Sequence, residues 1–269
     1  MGTRTQERPE VEALARYRRP TWRTTTGVAA VVIVFALSWQ GSQLSLSALV
    51  DGVPNVVDFL GRLFPPDPAE LGTAVELMGQ TLAIAVVGTV LGVLVAVPWS
   101  LLAARTVFGQ AWLHHSARTS VNLVRAVPEL MWALLFVSAV GLGPLAGTLA
   151  IAVGSAAGLA RLFADIFEAE DLRAWQAAEA AGASKAQRIS WVLLPQSLPT
   201  LSSYALLVLD SNVRAASLLG LVGAGGIGME LNQKLRLFEY GSVLTIVLVV
   251  LVVVVVLDRV SAHVRKKLV

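Results

Sequence analysis

Six stretches of this chain are apolar enough, and for the most part long enough, to cross a bilayer, and nothing else in the sequence limits its fold so strongly. They lie at about residues 26–46, 77–102, 121–140, 144–167, 189–219 and 240–257. With 55% hydrophobic residues, only 14% charged ones and a mean hydropathy of +0.69, the chain is too apolar for a soluble domain. The expectation is an all-α polytopic membrane protein with about six transmembrane helices, because a helix satisfies its own backbone groups in hydrocarbon. The chain has no cysteine, so disulfide frameworks and thiolate metal sites are excluded. Residues 1–23 are polar and arginine-rich, with no small-residue cleavage site behind an apolar core, which favours a retained first span over a removed signal peptide.

The 21 lysines and arginines orient the spans. Sixteen fall on the side that carries both termini, the 103–118 loop and the 161–190 segment. Three (Arg62, Lys234 and Arg236) fall on the other side, and Arg125 and Arg214 lie inside spans. The positive-inside rule then places both termini in the cytoplasm. It also makes the basic patches a device for bilayer orientation rather than nucleic-acid binding. Val56 to Phe64 reads as a short amphipathic interfacial helix among prolines. Four segments follow: a cytoplasmic N-terminal tail over 1–25, the first span with its extracytoplasmic segment over 26–76, a core over 77–257 and a basic cytoplasmic tail over 258–269.

Between the fourth and fifth spans lies the most polar internal stretch, from Gln176 to Pro195. Asp171 is placed to cap a short helix carrying Trp175 to Ala181, and Gly182 suits the left-handed residue that ends it. Ser184 and Gln187 form a capping box that opens a second helix. Glu179, Lys185, Gln187 and Arg188 are expected to keep one side wet. The reading is helix, sharp turn, helix at a membrane surface. Pro195 and Pro199 each delete a backbone bond and predict a kink near the start of the fifth span.

The pattern Gln176-Ala177-Ala178-x3-Gly182-x9-Val192-x-Leu194-Pro195 resembles the coupling loop of ABC importer permeases, Glu-Ala-Ala-x3-Gly-x9-Ile-x-Leu-Pro. Gln176 stands where the family usually has Glu, and Val192 where it has Ile. The resemblance covers about residues 77 to 257 and implies a type I importer permease fold. It implies that Gln176, Ala177, Ala178, Glu179, Gly182, Ala183, Val192, Leu194 and Pro195 meet an ATPase. Segments 124–136, 182–188 and 212–228 look most like the phosphonate-type subfamily, which implies phosphonate, phosphite or phosphate as cargo. Methionine-type permeases are near relatives. The implied assembly is a homodimer of this chain with two ABC ATPase subunits and an extracytoplasmic solute-binding protein, in the bacterial inner membrane. ATP and magnesium would sit on the ATPase, and this chain would bind no cofactor, no metal and no nucleic acid.

Three charge pairs fall in or at the ends of spans at i, i+4 spacing: Arg125 with Glu129, Arg161 with Asp165, and Asp210 with Arg214. They read as self-neutralised structural pairs or as a polar path for an oxyanion. Since all the embedded carboxylates would be arginine-paired, a secondary transporter, which needs a carboxylate free to load a proton or sodium ion, is disfavoured. An intramembrane enzyme lacks a nucleophile–base pair at usable spacing. The run Gly220, Gly223, Gly225, Gly226 and Gly228 contains a G-x-G-x-x-G match, but no strand precedes it. It reads instead as a break in the chain beside the pathway, a candidate gate. Gly88 and Gly92 form a G-x-x-x-G pair that permits close helix approach. His114 and His115 are adjacent and cannot face one metal position.

Overall fold

The computed structural model describes residues 22–42 and 45–268. Residues 1–21 of the arginine-rich N-terminal segment lie outside the described residues. The chain divides into two units at Leu60/Gly61. The first holds α1 (Trp22–Gly41) and most of α2 (Leu46–Leu63). Side chains of α1 are exposed on every face where they are described, as suits a helix meant for lipid. The short interfacial helix expected at Val56–Phe64 is in fact the second half of α2, which runs through Pro54.

The second unit is a bundle around α3 (Leu71–Ala103). After it come α4 (Arg105–Phe108), α5 (Ala111–Ala126), α6 (Glu129–Val140), α7 (Pro144–Ala169), α8 (Leu172–Ala180) and α9 (Lys185–Arg188). A π-helical turn, Ile189–Leu193, leads into α10 (Leu194–Leu219). Then come α11 (Ile227–Arg236) and α12 (Tyr240–Leu268). Among the described residues, four helical runs are long and apolar enough to cross a membrane: Pro68–Ala103, Pro144–Ala169, Lys185–Val222 and Tyr240–Lys267. The bent pair α5–α6 makes a possible fifth, and Thr25–Gly41 is a shorter apolar helix.

The expected third span is therefore broken. Residues 121–140 belong to two helices that meet at 82°, because Pro128 removes a donor and pushes Val127 out of the helical region (φ −88°, ψ 120°). The basic stretch 105–118, expected as a loop, is helical apart from the turn at Gly109 and Gln110. Residues 258–268, expected as a tail, continue α12.

α3 and α7 form the spine. At Gly88 and Gly92 the missing side chains make room for Ile151 and Ser155 of α7, so the close approach permitted by the glycine pair is met within this chain. Two buried clusters flank the spine. One gathers Met78, Ile84, Ile151, Val213, Leu219, Ile227 and Ile246. The other gathers Val107, Val121, Leu159, Phe163, Phe167, Leu193 and Leu201. Lone hydroxyls on α3 are satisfied by their own helix: Thr81 donates to the Leu77 carbonyl (2.9 Å), Thr89 to Ala85 (2.6 Å) and Ser100 to Val97 (2.7 Å).

Candidate functional site

The polar segment between α7 and α10 is a helical hairpin held by its own side chains. Asp171 accepts from the Arg173 amide at 2.9 Å and opens α8. The turn is made at Gly182, whose φ is +85°. The space around Gly182 is open, so its glycine is required by backbone conformation and not by crowding within this chain. The Ser184 amide donates to Gln187 Oε1 (2.8 Å) and the Gln187 amide to Ser184 Oγ (3.4 Å), completing the capping box of α9.

Gln176, Ala177, Glu179, Ala180, Ala181 and Gly182 are exposed, while Ala178 and Ala183 are half-buried. One charged side chain departs from the wet face expected of it. Arg188 is only 11% exposed, its Nη1 lies 2.7 Å from Glu179 Oε1, and its guanidinium stands 4.8 Å from the centroid of the Trp175 ring. Each contact is worth about 0.5–1 kcal/mol at a partly wet site. Beyond the hairpin, Val192 and Leu194 are half-buried and Pro195 is exposed in the first turn of α10, directly after the π-helical turn.

A second ionic cluster fastens the bundle end beside the hairpin. Arg118 reaches Asp165 (2.8 Å) and Glu168 (3.1 Å), Arg161 shares Asp165 (3.1 Å), and Glu168 accepts from the Arg105 amide (2.8 Å). Arg161 and Asp165 are thus paired as expected, within a larger group. His114 is buried. Its Nε2 accepts from Arg105 Nε (2.9 Å), so its Nδ1 donates to the Ala103 carbonyl (2.6 Å).

The other embedded pairs behave differently from each other. Arg125 and Glu129 lie on opposite sides of the 82° bend, so i, i+4 neighbourhood does not apply to them. Glu129 faces Gly154 of α7, and its Oε1 is buried with no hydrogen-bond partner among the described residues. The expectation that every embedded carboxylate is arginine-paired therefore fails at Glu129. Asp210 and Arg214 are paired at 3.1 Å, and the same Arg214 nitrogen also reaches Asp258 of α12 at 3.2 Å. Nothing local in the sequence points to Asp258, which is distant in the chain and falls in the expected tail. Asn212 carries the other polar knot, donating to Thr89 of α3 (2.8 Å) and Ser155 of α7 (2.7 Å). Tyr204, Leu207, Ser211, Arg214 and Leu218 form one exposed stripe of α10 at three- and four-residue spacing. A half-exposed arginine in such a helix is costly against lipid, so this face suits protein or water.

The glycine run makes a tight break after α10. Gly220 begins a 3₁₀ turn, and Gly223, Gly225 and Gly226 have φ of +89°, +82° and +72°. The Gly226 amide donates to Gln80 Oε1 (3.0 Å), the Ile227 amide to Thr81 Oγ1 (2.8 Å) and the Gly143 amide to the Gly223 carbonyl (2.9 Å). A side chain at Gly228 would run into the Ser217 carbonyl. The returning helix α11 is anchored by Lys234, which lies 2.8 Å from Glu70 and 2.9 Å from Glu239. Hydrogen bonds to Glu70 and then Glu239 hold the Lys234 pKa above the ordinary lysine value.

Residues 88–269 match the family of binding-protein-dependent transport system inner membrane components. The phosphite transport system permease protein PtxC of Stutzerimonas stutzeri is 35% identical over 246 residues, covering 91% of this chain and 90% of the relative. The phosphate-import permease protein PhnE of Mycolicibacterium smegmatis is 40% identical over 223 residues, covering 82% of this chain and 42% of that longer relative. A chain of the inward-facing MetNI methionine ABC transporter superposes with a TM-score of 0.67 at 23% identity, covering 76% of this chain and 99% of that one, which shows a shared fold.

Proposed function

Because this chain belongs to the family of binding-protein-dependent transport system inner membrane components, it is the membrane permease subunit of an ABC importer and not an enzyme, and we propose that its cargo is a phosphorus oxyanion: phosphite, phosphonate or phosphate. The phosphite and phosphate permeases among its relatives support that cargo. The observation that carries the reading is the exposed hairpin, whose turn at Gly182 leaves a ridge of mostly small residues, Gln176 to Gly182 with Glu179 as its one charged residue, open to a partner.

In this reading the ridge docks on an ABC ATPase, which binds the ATP and magnesium, and an extracytoplasmic binding protein delivers the solute at the opposite end. Two copies of the chain pair with two ATPases. The half-exposed Arg214–Asp258 face of α10 and α12 supports a second copy or a water-filled path there, since lipid would be a poor neighbour. Closure of the ATPases pushes the hairpins, and α10 carries the motion towards the glycine break, the candidate gate. Glu129, with an unpartnered oxygen, no longer argues against an ion-driven carrier; family membership does so instead.

The test is reconstitution in proteoliposomes with the ATPase and the binding protein, supplying phosphite, methylphosphonate, phosphate or methionine. Import of a phosphorus oxyanion only when ATP is present is the expected result. Import of methionine alone would move the chain to the methionine-type importers, and import without the ATPase under an ion gradient would overturn the reading. Cytoplasmic placement of the hairpin is checked by cysteines introduced at Ser184 and Arg236, which are both exposed. The first is expected to label only from the cytoplasm, the second only from outside.

A further inference from the structure

Arg188 is out of character for its surroundings. Its neighbours Lys185, Ala186 and Gln187 are exposed, yet its own side chain is nearly covered. It is also doubly committed to the other limb of the hairpin, by the 2.7 Å pair with Glu179 and by the 4.8 Å stacking over Trp175. Its Nε is buried with no hydrogen-bond partner among the described residues. A residue serving only solubility would not be buried with a donor unmet. Trp175 in turn packs on the buried cluster of Phe163, Phe167 and Leu193, so Arg188 is seated on a side chain that is already fixed to the bundle.

The two limbs are joined by a short turn, Ala181 to Ser184, with one left-handed residue, Gly182, followed by the short capped helix α9. Immediately after Arg188 the chain enters the π-helical turn Ile189–Leu193, a local widening of the helix that ends where α10 begins. A push on α8 could therefore be absorbed at the glycine or at the π turn before it reached α10. Arg188 bridges past the first of these joints and sits at the edge of the second. Only a guanidinium can stack on the indole face and donate to a carboxylate in the same pose; a lysine can pair with Glu179 but stacks less well.

We propose that Arg188 is a positioning residue for transport, locking the two limbs of the hairpin so that displacement of α8 by the ATPase is passed to α10 rather than lost in the turn. The proposal rests on the reading that the hairpin docks the ATPase. It separates docking, done by the exposed small residues of the Gln176 to Gly182 ridge, from transmission, done by Arg188 and Trp175 together with Glu179 of that ridge.

The full chain is reconstituted with its ATPase and binding protein, with phosphite as the solute, and compared with Arg188→Met, Arg188→Lys and Glu179→Gln. Two quantities are read: co-purification of the ATPase, and ATP hydrolysed per phosphite imported. Arg188→Met is expected to keep the ATPase bound and to raise the ATP spent per phosphite about five- to tenfold, the size of an ordinary coupling between sites. Arg188→Lys, which keeps the ion pair, is expected to recover part of the ratio, and Glu179→Gln, which keeps the ring contact, likewise. A wild-type ratio in Arg188→Met overturns the proposal. So does loss of the ATPase or failure to reach the membrane, since Arg188 would then serve docking or folding. If the unsubstituted chain, with its ATPase bound, imports no phosphite but does import another solute, the cargo assignment falls and the same ratio is read with that solute.

Discussion

Two of the places where the chain interrupts its helices at glycine are built in opposite ways. At Gly182 the backbone is left-handed but the surroundings are empty, and the turn is held by bonds between backbone and side-chain groups only a few residues apart. Between Gly220 and Gly228 the backbone is left-handed at three positions and the surroundings are full. There the segment is held by its own amides reaching α3. The first break needs freedom of conformation, and the second needs conformation and space together. A turn of the first kind can present a surface to a partner. One of the second kind is a joint inside the bundle, whose movement must move α3 or α7 as well.

The largest test of this contrast is Gly228→Ala. The new methyl group would overlap the Ser217 carbonyl, which is fixed in the last turns of α10. Overpacking against backbone is expected to cost about 3 kcal/mol or more, seen as a sharp loss of monodisperse protein in detergent and a lower thermal midpoint. Wild-type behaviour would show that the break is not close-packed. Next is Thr81→Val, which keeps the shape and removes the acceptor of the Ile227 amide. An unsatisfied buried amide is expected to cost about 1–3 kcal/mol. Thr81→Ser should restore most of it, and equal stability of the Val and Ser variants would mean that the bond does not hold the break.

At the other break the effect on folding is smaller. Gly182→Ala forces a left-handed alanine and is expected to cost about 1–2 kcal/mol, with the protein still inserted. Gly182→Val carries a bulkier branched side chain and is expected to abolish ATPase association or import, whereas Gly182→Asn, which tolerates the left-handed region, should be the mildest of the three in the isolated chain. Normal import by Gly182→Val would remove the hairpin as a docking surface.

The same contrast explains how much was legible in the residues. The hairpin could be read because its bonds are local: Asp171 to the Arg173 amide, Ser184 to Gln187. The glycine run announced a break, but nothing near it in sequence pointed to Gln80 and Thr81, 146 positions away. Gly88 and Gly92 announced close approach without naming Ile151 and Ser155. The Arg125–Glu129 pair failed because the helical rule was carried across Pro128, although a proline restricts the residue before it. Arg188 reads as wet because arginine usually is, and its burial depends on Trp175 being folded back beneath it. Asp258 gave no local sign of reaching Arg214, since that contact exists only once α10 and α12 are side by side.

The smallest effect expected is that of alkaline pH on the far limb of the glycine break. α11 is anchored through Lys234, whose hydrogen bonds to Glu70 and Glu239 raise its folded pKa above the ordinary lysine value of about 10.4. A lysine with a raised folded pKa contributes stability that is fully present below the unfolded value and is lost only as pH climbs through the higher folded value. Between about pH 8 and 10 the contribution of this ion group should therefore stay constant. The measurement is the difference in thermal midpoint between the native chain and Lys234→Met across that window. A constant difference fits the anchored limb. A difference that shrinks steadily over the same window would mean that Lys234 loses its proton early and that the limb is not anchored through it.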